Sequence, residues 1–249
     1  IEIAGSPEFH ALHWEAIKDP DQSRPLSVDK PIVRKNSQPI IYEAKVKSAP
    51  LLRVLLISAR PSGARDVSYR TISRPLVESL ETGKIAAQID IVRPGTYETL
   101  VKHLEDVYLT YGDGYYHLLH LDLHGALLSY EQYKTFTQTY NSSQLLYRNS
   151  GYAQKKIEEY EGLKAFLFFN GTEGEFANPV SAEDLANLFK MRQIPIVILN
   201  ACQSGKQVGA AETSLGSYML KAGVQLVVAM GYSVTVSAAR ILMSTLYQG

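Results

Sequence analysis

From residue 51 onward the chain alternates short runs of Val, Ile and Leu with stretches whose apolar residues recur at helical spacing, and this rhythm limits the fold more than any other feature. Leu52 to Ser58 reads as a buried strand, and Tyr69 to Leu80 as a helix with Ile72, Leu76, Val77 and Leu80 on one side. Ala87 to Arg93 is a second strand, and Thr96 to Leu109 a second helix carrying Leu100, Val101, Leu104 and Val107. Tyr115 to Leu123 follows as a third strand, and Ala165 to Phe169 as a further extended piece. Ser181, with Asp184 three residues on, caps a helix running to Met191. Pro195 to Asn200 is a nearly continuous apolar strand, Glu212 to Lys221 a helix stopping at Gly223, Val224 to Met230 a strand, and Ser237 to Tyr247 a final helix. Runs this apolar must be covered on both faces, which predicts an α/β fold around a mostly parallel sheet.

Two segments depart from the rhythm. Residues 1–50 are broken by Pro7, Pro20, Pro25, Pro31, Pro39 and Pro50, so they are expected to form a lead-in arm of small strands packed on the core. Residues 129–162, rich in Tyr, Gln, Ser and Asn, are expected to be an insertion or long surface loop, with processing or regulation as its role.

Composition removes whole classes of function. Twenty-five basic and twenty-five acidic residues cancel, so no basic stripe argues for nucleic acid and no polybasic cluster for a membrane surface. The apolar runs are far shorter than a membrane span. One cysteine among 249 residues cannot close an internal disulfide, which fits a reducing compartment, and a cytoplasmic location is expected. The first residues resemble no signal peptide and lack an initiator Met, so a piece of a longer protein is expected. There is no Gly-x-Gly-x-x-Gly after a strand, no Walker loop and no Gly-x-Ser-x-Gly elbow. A phosphatase-type loop would need Arg six positions after the cysteine, where Val208 stands.

In open parallel sheets reactive groups gather beyond the carboxyl ends of the strands. Two strands here end informatively, one in His120-Leu121-Asp122-Leu123-His124-Gly125, the other in Leu199-Asn200-Ala201-Cys202-Gln203-Ser204-Gly205. Cys202 lies just past its apolar run in a polar loop, where a neighbouring imidazole can make it a thiolate; by position alone an inert small residue is equally open. Strand alternation groups His120, Asp122 and His124 on one face, with His124 last and next to Gly125, which lets a substrate approach its backbone; by itself this is also how a polar strand end looks. A zinc reading of His117, His120 and His124 needs a helix, whereas the alternating leucines argue for a strand, and no second cysteine is present. Neither metal nor cofactor is expected.

The His124-Gly125 pair and the block Asn200 to Gly205, continued by Glu212-Thr213-Ser214-Leu215, Ala222-Gly223 and Val227 to Tyr232, resemble the two signature blocks of CHAT domains. These are caspase-like peptidases often attached to tetratricopeptide repeats. The resemblance covers residues 51–249, more weakly His13-Trp14-Glu15 in the lead-in. It implies a three-layer caspase–hemoglobinase-like sandwich, with His124 as base, Cys202 as nucleophile, and the backbone N–H groups of Gly125 and Cys202 as oxyanion donors. It also implies a pocket wall at Gly231, Tyr232 and Ser233, a protein or peptide substrate, and control by a tetratricopeptide-repeat region or activating partner. Relatives carry a further strand and helix, so a C-terminal strand is expected to be missing. A basic residue at the cleavage site would need an acidic pocket, for which Asp122, Glu173 and Glu175 are the candidates, with Asp122 taken as substrate-binding; each also reads as a surface or structural carboxylate, and Asp122 alternatively as orienting a loop beside His124. A catalytically silent interaction module and a cysteine-dependent acyl transferase are the alternatives.

Overall fold

The computed structural model describes residues 1–5, 9, 12–35, 43–62, 66, 74, 77–80, 82–83, 86–139, 157–171, 177–201, 216, 219–220, 224–229, 237, 241–242 and 245–247. In the lead-in, β1 (Glu2–Ala4) pairs in parallel with β2 (Val33–Lys35), and two single 3-10 turns lie between them, at Trp14–Ala16 and Leu26–Val28. The Arg34 guanidinium clasps the Glu15 carboxylate through both nitrogens, tying the turn to the strand. Residues 45–47 strap this arm to the body. Lys45 N–H donates to Gln193 Oε1 at 2.8 Å, and Lys47 N–H donates to the Gly114 carbonyl at 2.8 Å. Gly114 is required there: its φ is +74°, and a Cβ would stand 2.2 Å from the Lys45 carbonyl oxygen.

The body is built on β3 (Leu52–Ser58), β4 (Ala87–Val92), α1 (Tyr97–Tyr111), β5 (Leu118–Asp122), β6 (His124–Leu128), α2 (Tyr130–Thr139), β7 (Lys164–Asn170), β8 (Ala177–Ser181), α3 (Ala182–Met191), β9 (Ile196–Asn200) and β10 (Leu226–Ala229). Among the described residues five strands form one sheet in the order β10-β9-β5-β3-β4, every pair parallel. Successive side chains of each strand go to opposite faces, and each face has its own core. On one side Leu55, Ile57, Leu119, Leu121, Val197 and Leu199 meet Leu100 and Leu104 of α1 and Leu185 and Phe189 of α3. On the other Val54, Leu56, Leu118 and Ile198 meet Leu80 and Tyr247, from helical residues 77–80 and 245–247. The expected α/β architecture, a mostly parallel central sheet flanked by helices, is therefore present.

Caps set the helix starts. Thr96 Oγ1 accepts from the Thr99 N–H at 3.1 Å and starts α1, while Gly112 at φ +76° ends it. Ser181 Oγ accepts from the Asp184 N–H at 3.0 Å and donates to its carboxylate at 2.8 Å, as the spacing predicts.

The structure corrects three expectations. The third strand ends at Asp122; after Leu123 alone, the chain enters β6, which belongs to a separate antiparallel sheet, β6-β7-β8. Residues 129–162 are not one loop. Tyr130–Thr139 is helical and lays Tyr133 and Phe136 on Phe166 and Phe168, with ring centroids 5.0 and 4.9 Å apart. Tyr160 returns to the same cluster and donates to the Leu128 carbonyl at 2.9 Å, while residues 140–156 lie outside the described residues. Ala177–Ser181 is a fully buried strand that Asn178 and Pro179 hide in the sequence. Of the expected helices at 69–80, 212–221 and 237–247, residues 74, 77–80, 216, 219–220, 237, 241–242 and 245–247 are described, and they are helical.

Leu121, with no exposed surface, carries the first core, so Leu121→Ala is expected to cost about 2–5 kcal/mol. Ser181→Ala, which removes only a cap, is expected to cost about 1 kcal/mol. Urea unfolding of the two variants checks the ranking; equal costs would contradict it.

Candidate active site

The parallel register brings three polar residues abreast at the carboxyl ends of neighbouring strands. Ser58 of β3 pairs with Asp122 of β5, and Asp122 pairs with Asn200 of β9. The Asp122 carboxylate is the hub. Its Oδ2 accepts from Ser58 Oγ at 2.8 Å and Arg60 Nη2 at 2.6 Å, and its Oδ1 accepts from Asn200 Nδ2 at 2.9 Å. Arg60 Nη1 donates to the carbonyls of Ala59 and Asp122, both at 2.8 Å. The two charged side chains are 7% and 3% exposed, so this is a buried ion pair whose carboxylate accepts on both oxygens and whose guanidinium also donates to two carbonyls. The Arg60 N–H donates to Asn170 Oδ1 at 2.7 Å, extending the clamp to the end of β7. Gly95 closes on the same tip, where a Cβ would stand 2.1 Å from the Ser58 carbonyl oxygen.

The clamp fixes two departure points. His124 lies two residues past Asp122, and Cys202 two residues past Asn200. His124 opens β6, where it pairs with Phe168, and Gly125 behind it is buried opposite Leu167. The imidazole is partly exposed, and its Nε2 is 2.7 Å from Asp66 Oδ1; the other Asp66 oxygen accepts the Ser62 N–H at 2.7 Å. Asp66 follows β3 and His124 follows β5. In the strand order of this sheet these are the neighbours between which the chain reverses direction, and the crevice at such a switch point is where open α/β sheets place their ligands.

Asp122, expected at the substrate pocket, has its carboxylate buried and occupied in the clamp. Cys202, Gly231, Tyr232, Ser233, Glu173 and Glu175 lie outside the described residues. Sequence reasoning passed over Ser58, Arg60 and Asp66. Ser58 had a readable signal, since it ends its strand as Asp122 and Asn200 end theirs. Asp66 had none, because its meeting with His124 spans 58 residues.

The three histidines once weighed as a cluster do not converge. His117 Nδ1 accepts the Arg53 N–H and its Nε2 donates to the Lys47 carbonyl, both at 3.0 Å, so the ring pins the strap to β3. His120 is buried on the second face with Nδ1 2.9 Å from Tyr247 Oη. Burial lowers its pKa from 6.5 to about 4, against the opposing pull of the Asp122 charge. Among the described residues no group of three His, Cys, Asp or Glu side chains could hold a metal ion, and no helix is long and apolar enough to cross a membrane.

The sequence profile of the CHAT domain matches residues 1–249. The chain belongs to the CHAT-domain family. The match takes in the lead-in as well as residues 51–249, and CHAT domains have a caspase-like fold that is often that of a cysteine peptidase. No curated protein matches this CHAT domain. Among solved structures, the crystal structure of a protein from Geobacter sulfurreducens is similar at 12% identity, over 81% of this chain and 84% of that one, with a TM-score of 0.38.

Asp122→Ala removes the counter-charge of a buried guanidinium and is expected to destabilise the CHAT domain by about 3–5 kcal/mol, whereas Ser58→Ala is expected to cost about 1 kcal/mol, as measured by urea unfolding. Acid is expected to lower stability through His120. The unfolded chain protonates this ring from about pH 6.5 downward and the folded chain only near 4, so stability is full above that window and falls as pH drops through it, by up to about 3 kcal/mol. His120→Gln is expected to flatten that part of the stability–pH curve; an unchanged slope would show that another group sets it.

Proposed function

We propose that this CHAT domain is a cysteine endopeptidase acting on a protein or peptide substrate. In this reading His124 is the base and Cys202 the nucleophile, with the backbone N–H groups of Gly125 and Cys202 receiving the oxyanion, and Gly231, Tyr232 and Ser233 lining the substrate pocket. The observation that carries it is the clamp: Asp122 and Asn200 are hydrogen-bonded at 2.9 Å, so the segments leading to His124 and Cys202 start from adjacent, fixed strand tips. Family membership supplies the chemistry that such a pair performs.

The thiol proton passes to His124, and the thiolate attacks the peptide carbonyl carbon. The tetrahedral oxyanion collapses, the C–N bond breaks, and the leaving amine takes its proton from the imidazolium. Water then hydrolyses the thioester, with His124 accepting a proton from it and Cys202 leaving as thiol. Residues 51–249 form the peptidase domain in this reading, residues 1–50 an arm on it, and a repeat region or activating partner controls turnover. The lone thiol suits a reducing, cytoplasmic setting.

Alkylation of Cys202 by iodoacetamide at pH 7 is expected to slow at least about tenfold in His124→Ala. A peptide library, read by mass spectrometry, is expected to be cleaved by the parent and left intact by Cys202→Ala. Equal labelling of parent and His124→Ala would remove the dyad, and His124-dependent labelling without any cleavage would mark a catalytically silent module.

A further inference from the structure

The switch point joins two loops that are distant in the chain, and the contact between them is a specific one. Asp66 Oδ1 lies 2.7 Å from His124 Nε2, and Asp66 itself is held, its second oxygen accepting the Ser62 N–H at 2.7 Å. Its side chain is 5% exposed, against 23% for the imidazole. We infer that Asp66 is a positioning residue for His124, fixing the ring so that Nε2 carries the hydrogen and Nδ1 is the nitrogen that takes the Cys202 proton. The inference rests on the peptidase reading and adds a third member to its pair.

The argument is one of donors and acceptors. An ionised carboxylate only accepts, so a neutral imidazole 2.7 Å away must present Nε2–H to it, and the lone pair is then left on Nδ1. The other tautomer would set a bare Nε2 against a carboxylate that is itself tethered and nearly buried. When the Cys202 Sγ–H bond breaks and its proton arrives at Nδ1, the ring becomes imidazolium and Asp66 stabilises the new charge while staying ionised. The proton later leaves from Nδ1 to the departing amine, so the Nε2–H···Oδ1 bond persists through the cycle. Backbone constraint alone would not select the nitrogen. The β6–β7 pairing fixes the His124 main chain but leaves its side-chain torsions, and the carboxylate is what distinguishes the two ring edges.

Two measurements test this. In the parent protein, long-range proton–nitrogen NMR of His124 above its titration is expected to show Nε2 protonated and Nδ1 bare; the opposite tautomer would overturn the inference whatever any variant does. In Asp66→Asn, iodoacetamide labelling of Cys202 at pH 7 is expected to fall at least about tenfold and to recover towards the ordinary thiol range near pH 8.5, with Asp66→Glu restoring most of the rate. Parental labelling and pH profile in Asp66→Asn, alongside slowed labelling in His124→Ala, would refute the positioning role and leave the dyad standing. Parental labelling in His124→Ala as well would refute the peptidase reading itself.

Discussion

The buried pair of Arg60 and Asp122 is the constraint on which the working end of this fold depends. Taking two charges out of water costs several kcal/mol each, and their attraction offsets that only where every remaining donor and acceptor is matched. Here the matching comes from neighbours in the sheet: Ser58 on one side, Asn200 on the other, and the carbonyls of Ala59 and Asp122 beneath the guanidinium. Such a pair contributes register more than net stability. Sliding β5 by one residue against β3 would carry Asp122 to the opposite face and leave Arg60 beside apolar side chains. The clamp therefore specifies a single alignment of three strands, and the tips of those strands lead to the residues of the proposed dyad.

Behind the tips, the sheet is held by burial on both faces. Because every central strand feeds two cores, its sequence is a continuous apolar run and not an alternation, and this is why the strands stand out in the sequence. The edge strand β10 is less covered, with Leu226 46% exposed. Polar side chains enter these cores as paired groups in the clamp or as a group kept neutral. His120 illustrates the second case: placed in the second core against Tyr247, it is held uncharged by burial.

What the sequence made legible follows from this. Leu52–Ser58 was readable to the residue, as was the cap at Ser181, because each is a local pattern. The failures are tertiary. Leu119, Leu121 and Leu123 all enter one core, so the alternation runs unbroken past Asp122 and conceals that the chain has left one sheet for another. The helix at Tyr130–Thr139 shows its apolar side only through Tyr130, Tyr133 and Phe136, spaced three apart among Gln, Lys and Thr, a composition that reads as loop. The site divides in the same way. His124 and Asp122 were singled out from their strand tip, but the role of Asp122 as a buried hub with Ser58 and Arg60, and the meeting of Asp66 with His124, depend on pairings between distant segments.

The misread helix changes how His124 is supported. Along β6, His124, Ala126 and Leu128 alternate onto the face that meets α2, and His124 pairs across to Phe168, which packs on Phe136. At its other end β7 is tied to the clamp through Asn170 and the Arg60 N–H. The candidate base thus stands at the junction of two sheets. Asp122, one residue before Leu123, holds it from the parallel sheet, and the aromatic layer under α2 holds it from the antiparallel one. With its backbone fixed from both sides, the remaining freedom is rotation of the imidazole, which the Asp66 carboxylate takes up. An aromatic layer that looks remote from His124 is in this way part of what aims the candidate base.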